Sequence, residues 1–156
     1  MKLRFLLVGK PRDAEAAILH DRYADRIRRL GVAYETIWVP EIRPGGRYSD
    51  AHVREREARL LRERLSEPGR GKIIALDRRG LNLTSRGLAE RLEAWASPMA
   101  TFVIGGPLGL DDGFVADSDC HWSLSALTLP HELARVLAAE QLYRALTLIR
   151  RIPYHR

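Results

Sequence analysis

The chain is predicted to fold as an α/β protein, a mostly parallel sheet flanked by helices. Short apolar and β-branched runs alternate with helically periodic stretches over nearly the whole length, and glycine or proline punctuates the transitions. The last helical stretch is apolar around most of its circumference, which suits a helix covered on more than one side. At 156 residues, 46% of them hydrophobic, positions 1–156 are expected to form one domain, without repeats or an interdomain linker.

Residues 3–9 read as a short apolar strand closed by Gly9, Lys10 and Pro11. Residues 13–30 then place Ala14, Ile18, Tyr23, Ile27 and Leu30 at helical spacing ahead of Gly31. A β-rich run at 34–39 stops at Pro40, and PEIRPGGRYSD is loop chemistry. Ser49 or Asp50 caps the next helix, which carries Val53, Leu60, Leu61 and Leu65 among many arginines and glutamates. After a break at 66–71, residues 72–77 read as a buried strand, and Thr84 or Ser85 opens a helix with Leu88, Leu92 and Trp95. Residues 101–104 make a fourth strand that ends in GGPLG. A short acidic turn or helix at 111–117 precedes a short strand around Trp122 and a final helix over about 130–150. At 3.6 residues per turn, Glu140, Arg144, Thr147 and Arg151 share one narrow polar stripe on that helix. The apolar arc that remains is wider than one sheet covers, so a partner subunit is expected on the other side, giving a homodimer. Arg135 falls opposite the polar stripe, where it either reaches outward to pair with a carboxylate or points into a site.

The formal charge is +6 with a pI near 10.0, and its surplus is uneven: +5 over residues 1–71, +2 over 72–110 and −1 over 111–156. Arginine supplies 23 of the 26 cations, a balance that suits a polyanionic partner such as nucleic acid. Cys120 is the only cysteine, which excludes an intrachain disulfide and a Cys-based zinc site and fits a reducing compartment, the cytoplasm. The amino-terminal apolar run, Phe5 to Val8, is far too short for a signal peptide or a membrane span, so no membrane partner is expected.

Several familiar chemistries are disfavoured by their missing residues. GGPLG lacks the dinucleotide spacing and the Lys-Ser/Thr of a phosphate loop. HELAR, residues 131–135, has Arg135 where a zinc helix needs its second histidine, so no metal is expected. Ser123 and Ser125 lack a nucleophile elbow. Three strand ends nevertheless converge beyond the carboxyl edge of such a sheet: Leu76-Asp77, Ile104-Gly105-Gly106 and the loop WSLSALTL. Residues 123–130 carry no charge in a chain that is 29% charged. A pocket so lined, without cationic side chains, suits an adenine ring and a sulfonium better than a polyphosphate.

The combination of IGGPLGL at 104–110, WSLSALTLPHELARVLAAEQLYRA at 122–145 and the terminal PYHR closely resembles the RlmH family, the large-subunit ribosomal RNA pseudouridine N3-methyltransferases. The likeness extends along essentially all 156 residues, including the amino-terminal KLRFLLVGK. It implies a SPOUT-type (Rossmann-like) α/β domain with a carboxy-terminal trefoil knot, acting as a homodimer on 23S rRNA of the assembled ribosome. It implies S-adenosylmethionine as cofactor, held against Leu76, Gly105, Leu124, Ser125, Ala126, Leu127, Thr128 and Leu129. On this view the uncharged run is the cofactor-cradling loop, and Gly105 stays small because the cofactor crosses its backbone. The implied reaction is methylation of N3 of a pseudouridine, position 1915 in the family. Tyr154 and His155 are the implied catalytic pair, working at the target base in the partner's site.

Residues 141–156 hold Arg144, Arg150, Arg151 and Arg156 and no acid, a local charge of +4 beside an aromatic ring and an imidazole. Arg135, Arg144 and Arg156 are the candidate substrate contacts. A non-catalytic RNA-binding module would also explain the basic balance, and a small-molecule hydrolase would explain Ser125 with His131. Neither alternative has a reason to bind S-adenosylmethionine.

Overall fold

The computed structural model describes residues 1–43, 45, 48–66 and 71–154. Five strands lie parallel in the order β2-β1-β4-β3-β5: β1 (Lys2–Val8), β2 (Ala33–Val39), β3 (Lys72–Asn82), β4 (Met99–Ile104) and β5 (Cys120–Ser123). The helices between and after them are α1 (Ala14–Arg29), α2 (Asp50–Leu65), α3 (Ser85–Trp95), α4 (Asp112–Ala116) and α5 (His131–Ile149). The predicted α/β architecture is the one observed.

Strand alternation divides the core into two layers. Leu3, Phe5, Leu7, Ile74, Phe102 and Ile104 face α1, α3 and α5, whereas Leu6, Val8, Ile73, Ala75 and Val103 face α2 and α4. Phe102, fully buried, anchors the first layer through ring contacts with Phe5 at 5.8 Å, Trp122 at 5.9 Å and Trp95 at 6.3 Å. Four helices start where a side chain accepts one of their free amides. Asp13 takes the N–H of Ala16, Ser49 that of His52, Thr84 that of Gly87 and Asp111 that of Phe114. Ser49 and Thr84, rather than Asp50 and Ser85, are therefore the caps.

Three sequence expectations need correction. The buried face of α1 is Ala16, His20, Ala24 and Ile27, and Ile18 is 60% exposed. β3 does not stop at Asp77: after a register shift it pairs again with β5, Leu81 opposite Trp122 and Asn82 opposite Ser123. Gly80 permits this return, because a Cβ there would lie 2.7 Å from the His121 carbonyl carbon and 2.8 Å from the Trp122 nitrogen. The wide apolar arc of α5 is met largely within the chain. Ala138, Ala139, Leu142, Ala145 and Leu146 pack into the core, and α1 and α3 flank the helix. Thr147, assigned to the polar stripe, is fully buried, and its hydroxyl donates to the Arg144 carbonyl at 2.7 Å.

Candidate active site

A cavity of about 840 Å³ opens beyond the carboxyl ends of β4 and β5 and beside the register shift of β3, at Leu76 to Arg79. One wall is the turn that leaves β4. The N–H of Gly109 donates to the Gly106 carbonyl at 3.0 Å across Pro107 and Leu108, with proline at the second turn position, where its fixed φ is favoured. Gly109 has φ +78°, which its lack of a side chain makes accessible. Gly105 is held small by the same turn: a Cβ there would lie 2.6 Å from the Gly109 carbonyl carbon and 2.9 Å from the Leu110 nitrogen. That constraint comes from the chain itself, before any ligand enters.

The opposite wall is the uncharged run ahead of α5. Its hydroxyls serve its own backbone: Ser123 donates to the Ser125 carbonyl at 3.1 Å, and Ser125 Oγ accepts the N–H of Leu127 at 3.0 Å. Among the described hydrogen bonds none joins Ser125 to His131, which removes the contact a hydrolase pair would use. The loop leaves Leu127 74% exposed at the cavity edge.

Seven of the eight residues expected to hold the cofactor line this one cavity: Leu76, Gly105, Leu124, Ser125, Leu127, Thr128 and Leu129. Ala126 is exposed and outside the lining. Backbone from residues 104–110 and leucine side chains contribute amides, carbonyls and apolar surface to the cavity. The expectation that no cation lines it is corrected, because Arg54, Arg78 and Arg79 stand at its rim. Arg79 spans two carboxylates there, donating to Asp77 at 2.9 and 3.1 Å and to Asp112 at 2.7 Å. This bridge was not legible in the sequence, since Asp112 lies 33 positions from Arg79. His131, at the start of α5, also lines the cavity; burial, with the Arg135 charge nearby, lowers its pKa and keeps the imidazole neutral.

The remaining candidates lie elsewhere. Arg135 is buried, and its Nη2 donates to the carbonyls of Val8 and Gly9. Arg144 pairs with Glu140 at 2.7 Å and lies over the Tyr154 ring, 4.8 Å from its centroid. The Tyr154 hydroxyl donates to Glu140 at 3.2 Å, and its ring meets Tyr143 edge-on. Burial, with Tyr23 and the Glu140 carboxylate alongside, pushes the phenol up to about 12, so it stays protonated. Tyr154 is thus anchored to its own α5 and does not line its own chain's cavity. His155 and Arg156 lie outside the described residues. Among the described residues no group of three or more His, Cys, Asp or Glu could hold a metal ion, and no helix is long and apolar enough to cross a membrane.

The chain is similar to known proteins along its full length. Residues 1–155 match a family model described as a predicted SPOUT methyltransferase. Proteins named ribosomal RNA large subunit methyltransferase H are 39% identical in Anaeromyxobacter sp. (strain Fw109-5), over all of both chains, and 41% identical in Thiobacillus denitrificans, over 100% of this chain and 99% of that one. The crystal structure of a probable methyltransferase from Bordetella pertussis Tohama I has the same fold at TM-score 0.53 and 19% identity, covering 92% of this chain and 95% of its own.

The rim bridge yields a titration prediction. Hydrogen bonds from Arg79 hold the Asp77 carboxyl below the usual carboxylate range. A depressed folded-state value contributes stability that is present above the unfolded-state value and lost as pH falls through the folded one. Arg79→Gln should raise the Asp77 midpoint toward that of an ordinary aspartate, followed by carboxyl-carbon NMR. An unchanged midpoint would mean that Arg79 does not set it.

Proposed function

The chain belongs to the SPOUT methyltransferase family, and from that premise we propose that it methylates large-subunit ribosomal RNA using S-adenosylmethionine, at N3 of a pseudouridine in 23S rRNA of the assembled ribosome. One observation carries the reading: seven residues assigned to the cofactor from the sequence line a single cavity beyond β4 and β5 and beside the register shift of β3. The printed names of the relatives supply the ribosomal RNA. Residues 1–156 act as one cytoplasmic domain on this reading, with the trefoil knot formed by the cavity loops.

Bound in the cavity, S-adenosylmethionine would supply an electrophilic methyl group on a sulfonium. The chain's own residues would do the rest. Leu76, Leu124, Leu127 and Leu129 exclude water from the site, while backbone groups of residues 104–110 fix orientation. N3 lies between two carbonyls and must lose its proton to attack. The neutral imidazole of His131 stands in the cavity wall and can accept a proton there, a role the sequence analysis did not assign.

The tail belongs to the partner's site on this reading, because Tyr154 does not line the cavity of its own chain. Ile18 of α1 and Leu133 of α5 are 60% and 52% exposed, apolar side chains available to a second copy.

Calorimetry tests the cofactor. S-adenosylmethionine should bind at micromolar strength, and Leu127→Glu, at an exposed position whose change leaves the core alone, should weaken it by about tenfold or more. A variant that binds as tightly as the parent places the cofactor elsewhere, and a parent that does not bind at all favours the non-catalytic RNA-binding reading. Light scattering at micromolar concentration should report a dimer; a monomer would remove the composite site. Removal of residues 154–156 should abolish methylation of ribosomes from a strain lacking this enzyme, read by mass spectrometry of the rRNA, with cofactor affinity unchanged. Retained methylation would make the tail a bystander, and lost cofactor binding in a folded chain would move it to the cofactor pocket.

A further inference from the structure

On the α1 side of the sheet a second cavity of about 370 Å³ is bordered by Lys10, His20, Arg28, Trp38, Glu132 and Arg135. Arg135 is the chemically unsatisfied member. It is 3% exposed, and its guanidinium lies over the Trp38 indole with Cζ 5.0 Å from the ring centroid. Nη2 is used by the Val8 and Gly9 carbonyls, but Nε and Nη1 are buried without a hydrogen-bond partner among the described residues. A guanidinium stays charged in a protein interior; the Glu132 and Glu41 carboxylates act on that charge from nearby, but the two donor sites are left unsatisfied.

The carboxylates that border the cavity are occupied elsewhere. Glu132 accepts the backbone amides of Arg12 at 2.5 Å and Asp13 at 3.1 Å. Asp21 lies 3.4 Å from His20 Nδ1. His20 is itself joined to the Tyr34 hydroxyl at 2.9 Å, and burial lowers its pKa, so it adds no positive charge at neutral pH. Lys10 is exposed at the cavity, and Arg28, paired with Asp25 at 2.8 Å and donating to the Tyr34 carbonyl, is the third cation of its lining. Fixed cations exceed carboxylates around a space large enough for a small ligand.

We propose that this cavity is an anion site, separate from the methyl-donor pocket, that takes a phosphate group on the free donors of Arg135. Phosphate oxygens would satisfy donors that no described residue satisfies and would add negative charge beside a guanidinium already removed from water. The cavity volume leaves room beside the phosphate for the sugar that carries it, so the source is a phosphodiester of an RNA strand or a free mononucleotide. The assignment goes beyond methyl transfer and does not rest on it, since cofactor binding in the first cavity is read independently by calorimetry.

The test is an NMR titration of the full-length chain labelled with nitrogen-15, following the Arg135 Nε–H and Trp38 indole N–H signals. Inorganic phosphate should shift both saturably, whereas chloride at matched ionic strength should not. Arg135→Lys, observed through the Trp38 signal, should lose the saturable response. Because a buried variant can fail to fold, Lys10→Gln at the exposed rim serves as the second: it should weaken phosphate binding by up to about fivefold, the range of one exposed ion pair. Single-stranded RNA that displaces phosphate from these signals identifies the phosphodiester as the source, and displacement by uridine monophosphate but not by RNA identifies a mononucleotide. Signals unmoved by phosphate, RNA and mononucleotide alike mean that water fills the cavity, and the assignment fails.

Discussion

The constraint on which the structure depends is the complete burial of β4. All six of its residues are buried, with β1 on one edge, β3 on the other and a helical layer against each face. A strand so enclosed can leave the sheet only through space that admits backbone and little else. Gly105, Gly106, Pro107 and Gly109 meet that requirement, since a Cβ at Gly105 would overlap the carbonyl of Gly109. The floor of the main cavity is therefore backbone amides and carbonyls as a consequence of packing. A ligand in the cavity therefore meets backbone on this wall, with the charged side chains of Arg54, Arg78 and Arg79 at the rim.

The legible and illegible parts of the structure separate along physical lines. Strands β1, β2 and β4 and the caps of α2 and α3 rest on local signals, apolar runs, terminating glycine or proline and side-chain acceptors, and these lie where the sequence placed them. The continuation of β3 past Arg78 and Arg79 has no local signal, because those charged residues lie in a register shift and the strand's return at Leu81 and Asn82 is paired by Trp122 and Ser123, some forty residues later. Ile18 failed for a related reason. Helical spacing alone offers more than one stripe on α1, and tertiary packing chose the one with His20, whose ring is satisfied by Tyr34. In the main cavity the lining loops were legible as motifs. The bridge from Arg79 to Asp77 and Asp112 was not, since it joins the interior of β3 to the start of α4.

Arg135 shows how a correct position can carry the wrong environment. Helical geometry placed it on the apolar face, and the ordinary expectation for arginine there is a side chain that reaches back to water. Instead it lies at 3% exposure against Trp38 and the carbonyls that end β1. Pairing of β1 with β4 stops at Leu7 opposite Ile104, one residue before Val8, while the Gly9 N–H still reaches the Val39 carbonyl of β2 at 2.8 Å, so the edge facing β4 is open to Arg135. A sequence motif contains no record of that vacancy.

The start of α5 stands between the two cavities, and four of its first five residues divide between them. His131 and Ala134 border the cavity at β3, β4 and β5, whereas Glu132 and Arg135 border the one beside α1. Pro130 provides no side-chain cap, so the position of this turn is set by longer-range ties. Glu132 holds the amides of Arg12 and Asp13, and Arg135 holds the carbonyls of Val8 and Gly9, which fastens the helix start to the segment joining β1 and α1. A ligand that draws on Arg135 therefore acts on the same rigid turn that carries His131. The two cavities are mechanically adjacent through a single helical turn, without any intervening flexible segment.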